Sequence, residues 1–301
     1  MKITDFFIFI RWKNLLMIAL TQILIKYVLF DKFDLSTSLS HIDFILLVLS
    51  SVFIAASGYI INDIQDVKTD ILNKPNQVFV SKKITASKAN NLYITLNSFG
   101  LLIGFYLSYA VDKVTFFALF IIISLLLYNY AINLKKKLLV GNLIVSFVVF
   151  LSIMIVPIFD IVPATNPYNS ETQYLAFYPV FVLSCFAFLL TLLREITKDA
   201  EDMEGDKKIQ ANTFPIRYGI KKTNQLLFVI GSMTLLLVSY FSFFLWETKH
   251  MAAIYLGLLV ALPLLYYLFR ATKSITKKHY QELSKLLKII MLLGILVQFF
   301  L

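Results

Sequence analysis

Two segments of the sequence carry aspartates at the same spacing, a step of three residues followed by a step of four. In a helix this spacing places three carboxylates on one face, where like charges repel unless cations neutralise them. Ligands that offer only oxygen suit a hard ion such as Mg²⁺, which commonly bridges to substrate phosphates. The candidate metal ligands are Asp63, Asp66 and Asp70 in the first segment and Asp199, Asp202 and Asp206 in the second.

The two segments are related by a constant offset, since each aspartate of the second lies 136 positions after its counterpart in the first. A constant offset favours a duplicated helical half with two facing metal sites. We therefore expect the six carboxylates to converge beside one phosphorylated ligand. The alternative is a pair of acidic, solvated helix ends without a common ligand. Calcium-binding loops are a poorer explanation, because neither segment has the EF-hand order of ligands and glycine.

The composition is that of a membrane protein, because 59% of the 301 residues are hydrophobic and the mean hydropathy is +0.78. The few charged residues are mostly basic and give a formal net charge of +10. The single cysteine, Cys185, excludes an internal disulfide and a multi-cysteine metal site. The short apolar stretch 6–10 is followed by Arg11 and Lys13, so we expect no cleavable signal peptide and a retained first span.

Apolar windows long enough to cross the hydrocarbon core recur about nine times. Windows this long and continuously apolar predict helices rather than barrel strands, because backbone groups in lipid must be satisfied within the segment. The sequence therefore predicts an all-α membrane protein. The predicted spans are 14–30, 43–61, 91–110, 114–132, 138–159, 175–193, 224–246, 251–269 and 284–301.

The basic residues predict the orientation of these spans. With the N-terminus in the cytoplasm, 24 of the 28 lysines and arginines fall on the inner side and 4 on the outer side. We expect a multi-pass protein of the cell (inner or plasma) membrane with its N-terminus in the cytoplasm and its C-terminus outside. Segments 62–90 and 194–222 then form two long cytoplasmic loops that contain the aspartates, so the active site faces the cytoplasm.

The aspartate segments resemble the signatures of the UbiA superfamily of intramembrane prenyltransferases. That superfamily has an N-D-x-x-D-x-x-x-D segment after its second helix and a D-x-x-D-x-x-x-D segment after its sixth, and both occur here at the expected helices. The resemblance implies a single UbiA-type domain over 1–301, with pseudo-repeat halves at about 1–137 and 138–270 and final helices at 251–301. Further matching positions are Gly58, Tyr59, Asn73, Pro75, Tyr128, Lys135, Gly141, Asn142 and the run from Thr213 to Gly219.

Within the superfamily, the run from Arg194 to Asp206 is most similar to the branch that makes the second ether bond of archaeal-type lipids. This resemblance implies Mg²⁺-dependent transfer of a geranylgeranyl group from its diphosphate to geranylgeranylglyceryl phosphate. The family usually continues from the first segment with an Arg-Pro pair, and here Gln77 and Val78 stand at those positions. The lysines that lie close enough in sequence to compensate are Lys74, Lys82 and Lys83.

The resemblance also implies roles for residues around the aspartates. Two Mg²⁺ ions held by the six carboxylates would stabilise the leaving diphosphate, since the carbon left behind is a resonance-stabilised allylic cation. Asn14 matches a position near the acceptor, although a polar residue at a helix start is commonly a cap. Lys135 matches the family's basic residue, although positive-inside anchoring also produces basic residues at 135–137. The candidate substrate-binding residues are Asn14, Tyr59, Asn62, Tyr128, Lys135, Arg194 and Lys198.

The expected partners are a prenyl diphosphate donor, a lipid-like or aromatic acceptor and membrane lipids, with no nucleic acid and no obligate protein partner. Prenylation of an aromatic quinone precursor is the alternative within the same enzyme class. A transporter or cation channel lined by acidic rings is the alternative from another class, disfavoured because the acids follow the spans at the cytoplasmic side. Water must be kept from the cation, so we expect the loops 71–90 and 207–222 to close over the site.

Overall fold

The computed structural model describes residues 3–67, 71, 78–135, 137–208 and 210–301. In these residues the chain forms helices joined by short connections, and the extended pairing is one isolated bridge from Val80 to Ile84. Asp70 and Gln77, which the sequence singled out, lie outside the described residues. The all-α prediction is confirmed.

A short helix, α1 (Ile3–Phe9), precedes the long helices. The long helices of the first half are α2 (Trp12–Leu24, continued by a π-helical turn Ile25–Phe30), α3 (His41–Gln65), α4 (Ala86–Ala110) and α5 (Phe117–Asn129, continued by a π-helical turn Tyr130–Leu134). Those of the second half are α6 (Val140–Asp160), α7 (Ser170–Lys208), α8 (Phe214–Leu245), α9 (His250–Tyr255, continued by a π-helical turn Leu256–Ala261 into α10, Leu262–Thr272) and α11 (Lys277–Leu296).

Among the described residues, eight helical stretches are long and apolar enough to cross a membrane. They correspond to the first eight predicted spans, so the chain is an integral, multi-pass membrane protein. The ninth predicted span, 284–301, is helical as part of α11, but this helix also carries Glu282, Lys285 and Lys288. The expected orientation of the two termini stays a prediction.

Two helices extend well past their predicted ends. Helix α3 reaches Gln65 rather than 61, and α7 reaches Lys208 rather than 193. The prediction of a loop over 194–222 is therefore wrong for most of that segment, because α8 also begins at Phe214. The physical reason is that charge ends a hydropathy window but does not end a helix, and the Arg, Glu, Lys, Ala and Met residues of α7 are good helix formers.

The chain divides into two compact units. The first comprises Met1–Lys135 and Leu151–Phe181, and the second comprises Lys136–Phe150 and Val182–Leu301. The first aspartate segment belongs to the first unit and the second segment to the second unit. The pseudo-repeat expected from the sequence stays a prediction.

In the first unit, glycines let α4 approach its neighbours closely. A Cβ atom at Gly100 would lie 2.6 Å from Cγ1 of Ile54, and one at Gly104 would lie 2.6 Å from the Phe120 ring. The Ser50 hydroxyl adds a hydrogen bond of 2.7 Å to the Gly100 carbonyl. Small residues at helix contacts are a general means of packing helices in membranes. These contacts fix α3, whose C-terminal end carries the first aspartates.

In the second unit, a buried hydrogen bond fixes the part of α7 that carries the second aspartates. The hydroxyls of Thr197 and Tyr267 lie 2.9 Å apart, and both residues are fully buried. A Cβ at Gly231 of α8 would lie 2.5 Å from Leu268, so α8 and α10 are in close contact. Gly219, with φ of 80°, interrupts α8 in a conformation that residues with a Cβ rarely adopt.

Candidate active site

The first aspartate segment begins inside α3 and continues past its end. Asn62 and Asp63 lie in the last turn of the helix, and Asp66 caps it by donating its backbone N–H to the Asn62 carbonyl over 2.9 Å. Asp63 Oδ1 accepts a hydrogen bond of 2.7 Å from Nη2 of Arg11, and the Asp63 side chain is only 13% exposed. The first aspartate is thus held by a cation from the N-terminal segment.

Asp66 is also paired with a cation. Its Oδ1 accepts from Nζ of Lys135, and its Oδ2 accepts from Nδ2 of Asn62 over 2.8 Å. The Lys135 ammonium also lies 3.5 Å from Oδ1 of Asn62. The structure therefore brings together three of the residues that the sequence singled out, although their roles stay predictions.

Tyr59 lies one turn before Asp63 and is held on two sides. The Arg11 guanidinium lies over its ring, 4.7 Å from the centroid, and Asn14 donates to its hydroxyl over 3.2 Å. Asn14 is not the N-cap of α2, because Arg11 occupies that position. Burial acts to lower the pKa of Arg11 and the Asp63 carboxylate acts to raise it, and the net pKa lies above the usual value.

Tyr128, the other aromatic residue among the predicted substrate-binding residues, lies on α5. Its ring stacks on that of Tyr93 with 6.3 Å between centroids, and its side chain is 40% exposed. The structure therefore gives it an aromatic neighbour in the first unit, and its role in substrate binding stays a prediction.

The second aspartate segment lies entirely in α7. Asp199 Oδ2 accepts a hydrogen bond of 2.8 Å from Nδ2 of Asn142, which stands at the start of α6. Asp202 and Asp206 follow at helical spacing, and all three aspartates are partly buried. Asn142 matched the family in the sequence, but the sequence did not indicate that its partner would be an aspartate of the second segment.

Arg194 and Lys198, both candidate substrate-binding residues, contact the same carboxylate in α7. Arg194 Nη1 lies 3.1 Å from Oε1 of Glu195, and Lys198 Nζ lies 2.9 Å from the same oxygen. Glu195 thus forms ion pairs with two basic side chains one turn before Asp199. This arrangement keeps both basic groups beside the aspartates of the second unit.

The chemistry of these groups fits a hard divalent cation. In the described part of the chain, no three His, Cys, Asp or Glu side chains lie close enough together to hold a metal ion, and Asp70 is outside that part. Asp63 and Asp66, however, each accept from a positively charged group, which shows that these carboxylates attract cations. Carboxylate oxygens are also the ligands that Mg²⁺ prefers.

Arg11 was not among the predicted site residues: it argued against a signal peptide and counted among the basic residues of the inner side. Its contact with Asp63 joins residues 52 positions apart and has no local signal in the sequence. The one sequence feature that pointed to a role for Arg11 is its proximity to Asn14, a family-matched position in the same helix turn.

Comparison with known proteins identifies the family. The model of the UbiA prenyltransferase family matches residues 35–291. The chain is 37% identical over 180 residues to a digeranylgeranylglyceryl phosphate synthase of Methanobrevibacter smithii, a match that spans 60% of this chain and 60% of that relative. It is 32% identical to the protein of the same name from Methanosphaera stadtmanae over 81% of this chain and 82% of that relative.

Solved structures agree with this comparison. A structure reported for digeranylgeranylglyceryl phosphate synthase in membranes is 25% identical and has a TM-score of 0.70, with 99% of each chain covered. A UbiA homolog from Archaeoglobus fulgidus bound to GPP and Mg²⁺ shares the fold, with a TM-score of 0.59, 17% identity, and coverage of 97% of this chain and 99% of that one. From the match over residues 35–291, the chain belongs to the UbiA prenyltransferase family.

Proposed function

We propose that this protein transfers a geranylgeranyl group from its diphosphate to geranylgeranylglyceryl phosphate and so forms an ether lipid. Family membership supports the class of reaction, and the relatives named digeranylgeranylglyceryl phosphate synthase support the acceptor. The observation that carries the proposal is the presence of both aspartate segments, with Lys135 paired to Asp66 in the first and Asn142 bound to Asp199 in the second.

Metal dependence follows from the donor groups and agrees with a structural neighbour that binds Mg²⁺. Mg²⁺, when bound, would neutralise diphosphate oxygens and so assist departure of that group. We assign two such ions to the six carboxylates. The proposed ligands are Asp63, Asp66, Asp70, Asp199, Asp202 and Asp206.

The basic side chains beside these aspartates would bind the diphosphate directly. Lys135 is paired with Asp66 at the end of α3, and Arg194 and Lys198 are paired with Glu195 within α7, so their N–H groups are already oriented toward negative charge. Charge-assisted hydrogen bonds of this kind are shorter and about twice as strong as neutral ones. Positive charge held next to the leaving group favours cleavage of the carbon–oxygen bond.

Two aromatic side chains of the first unit suit the prenyl end of the donor. The rings of Tyr59 and Tyr128 present apolar faces that also attract cations, worth about 0.5 to 2 kcal/mol each. Asn14 holds the Tyr59 hydroxyl and would face the acceptor. The positive-inside pattern of the sequence supports a site at the cytoplasmic face of the cell membrane. The segments 71–90 and 207–222 would exclude water from it.

A direct assay tests the proposal. Purified protein receives labelled geranylgeranyl diphosphate and either geranylgeranylglyceryl phosphate or an aromatic quinone precursor, with Mg²⁺ or with a chelator. We expect Mg²⁺-dependent lipid product with the glyceryl phosphate acceptor. Product only with the aromatic acceptor would refute the ether-lipid assignment, and no donor consumption with either would refute prenyl transfer.

Substitutions test the metal assignment in the same assay. Asp66→Ala and Asp202→Ala should each lower turnover on the order of 100-fold, because each removes charge that stabilises the transition state. Glu204→Ala is the matched control, since Glu204 is an exposed acid two residues after Asp202 in the same helix. Near-wild-type rates in both aspartate variants would contradict the assignment.

A further inference from the structure

Arg11 occupies an unusual position in the first unit. It lies in the turn that joins α1 to α2, with φ of 55°, a left-handed conformation that a residue with a Cβ adopts infrequently. From there its guanidinium reaches Asp63 Oδ1 at 2.7 Å and covers the ring of Tyr59. A conformation of this kind persists only where the surrounding contacts determine it.

Helix α1 supplies those contacts. Phe9 is fully buried and lies 5.6 Å from Phe79, centroid to centroid, and Asp5 Oδ1 accepts from Lys83 Nζ over 2.7 Å. The segment 79–84 follows the first aspartate segment in the chain. Helix α1 therefore fixes the Arg11 turn on one side and the segment 79–84 on the other.

The Arg11 guanidinium and a divalent cation cannot both bind Asp63 Oδ1 without strong repulsion. A divalent cation bound at that oxygen would place its two positive charges beside the positive charge of the guanidinium. Solvent screens this repulsion only weakly, because the Asp63 side chain is 13% exposed. A cation that binds at Oδ1 would therefore displace the guanidinium. The displaced guanidinium stays tethered to the turn, where an anionic oxygen of a substrate could accept its N–H groups.

We propose that Arg11 is a positioning residue that holds Asp63 until a divalent cation replaces it, and that the released guanidinium then binds an anionic substrate oxygen. This inference rests on the proposed function, because it takes Asp63 as a metal ligand. The Arg11–Asp63 ion pair opposes metal binding when diphosphate is absent. It opposes metal binding less when diphosphate is present, because the diphosphate can bind the released guanidinium. Metal and diphosphate are thus coupled through Arg11, and the coupling is reciprocal.

The test measures metal binding without turnover. Mn²⁺ affinity is measured by electron paramagnetic resonance for wild type, Arg11→Gln and the matched control Lys13→Gln, each with and without inorganic diphosphate. Without diphosphate, Arg11→Gln should bind Mn²⁺ about threefold to tenfold more tightly, since one competing ion pair is gone. Added diphosphate should tighten Mn²⁺ binding more in wild type than in this variant. Lys13→Gln, which removes an exposed charge two residues away, should match wild type.

Further variants keep the outcome decisive. Arg11→Lys retains the charge and should bind Mn²⁺ more tightly than wild type by a smaller factor than is expected for Arg11→Gln, so the test does not depend on the folding of Arg11→Gln. In an Asp63→Ala background, Arg11→Gln should change Mn²⁺ affinity no further. Equal Mn²⁺ affinities in wild type and in the folded Arg11 variants would overturn the inference. Failure of the prenyl-transfer assay with the affinity shift intact would instead refute the proposed function.

Discussion

Lys26 and Asp160 form a buried ion pair within the first unit, with 2.7 Å between Nζ and Oδ2 and side-chain exposures of 6% and 0%. Leu39 completes the network, because its carbonyl accepts from Lys26 and its N–H donates to Asp160, each over 2.9 Å. Three separate parts of the chain are therefore joined by one satisfied polar cluster: the end of the first span, the connection before α3, and the end of α6.

Lys26→Met should destabilise the protein by about 3 to 5 kcal/mol, because it leaves the Asp160 carboxylate buried without its cation. Adding Asp160→Asn should recover part of that loss, since the amide oxygen can still accept from Leu39 and no buried charge remains. Unfolding of the detergent-solubilised protein, followed by circular dichroism, measures both effects.

Lys113→Met provides the control for the Lys26 series, since it removes an exposed lysine and should change stability by less than about 0.5 kcal/mol. Asp160→Asn alone is measured for comparison. If the double variant lost as much stability as Lys26→Met and Asp160→Asn lose in sum, the ion pair would not be the source of the stability.

Lys135→Met should lower prenyl transfer on the order of 100-fold while leaving the helical content unchanged, because the proposed function uses this positive charge to bind the leaving diphosphate. Lys137→Met is the matched control, since Lys137 is exposed and lies in the same basic run. Steady-state rates at varied donor concentration separate the effects on kcat and KM. Equal losses in the two variants would indicate that these lysines only anchor the helix ends.

Replacing Asp66 as well should not restore activity in the Lys135 variant. The double variant Lys135→Met/Asp66→Asn removes the uncompensated carboxylate and should recover stability, but it lacks both proposed functional groups. Recovered turnover in the double variant would show that the pair is structural.

The sequence predicted the helical architecture and the reaction class because both depend on local features. Apolar windows mark the spans, and the steps of three and four residues place Asp199, Asp202 and Asp206 along one helix, as α7 has them. The boundaries were less predictable, because lipid burial and helix formation are different properties. The chain after residue 193 leaves the apolar pattern yet continues as helix to Lys208.

The partners of the charged residues could not be predicted, because they are distant in the sequence. The sequence shows Lys26 only as one of the four basic residues counted on the outer side, whereas its partner Asp160 lies 134 positions away. Arg11 likewise only argued against a signal peptide and counted among the basic residues of the inner side. A charge count records how many basic residues lie on each side, and it contains no information about which carboxylate each one binds.

Gly104→Ala should destabilise the first unit by about 1 to 3 kcal/mol through overpacking. The added Cβ would lie 2.6 Å from the ring of Phe120, which is 1% exposed and packs edge-on against Phe159 at 5.3 Å, so the ring has no room to move. Unfolding in detergent measures the loss, and the smaller side chain of Phe120→Leu should relieve part of it in the double variant.

Gly294→Ala is the control for helix propensity, since a Cβ at Gly294 meets nothing within 4 Å. It should leave stability unchanged or raise it by about 0.5 to 1 kcal/mol, because alanine loses less conformational entropy than glycine in a helix. Opposite signs for the two glycine substitutions would follow from the close contact of α4 with α5. A stabilising effect of Gly104→Ala would mean that the two helices can separate at that point, and that Gly104 does not determine their distance.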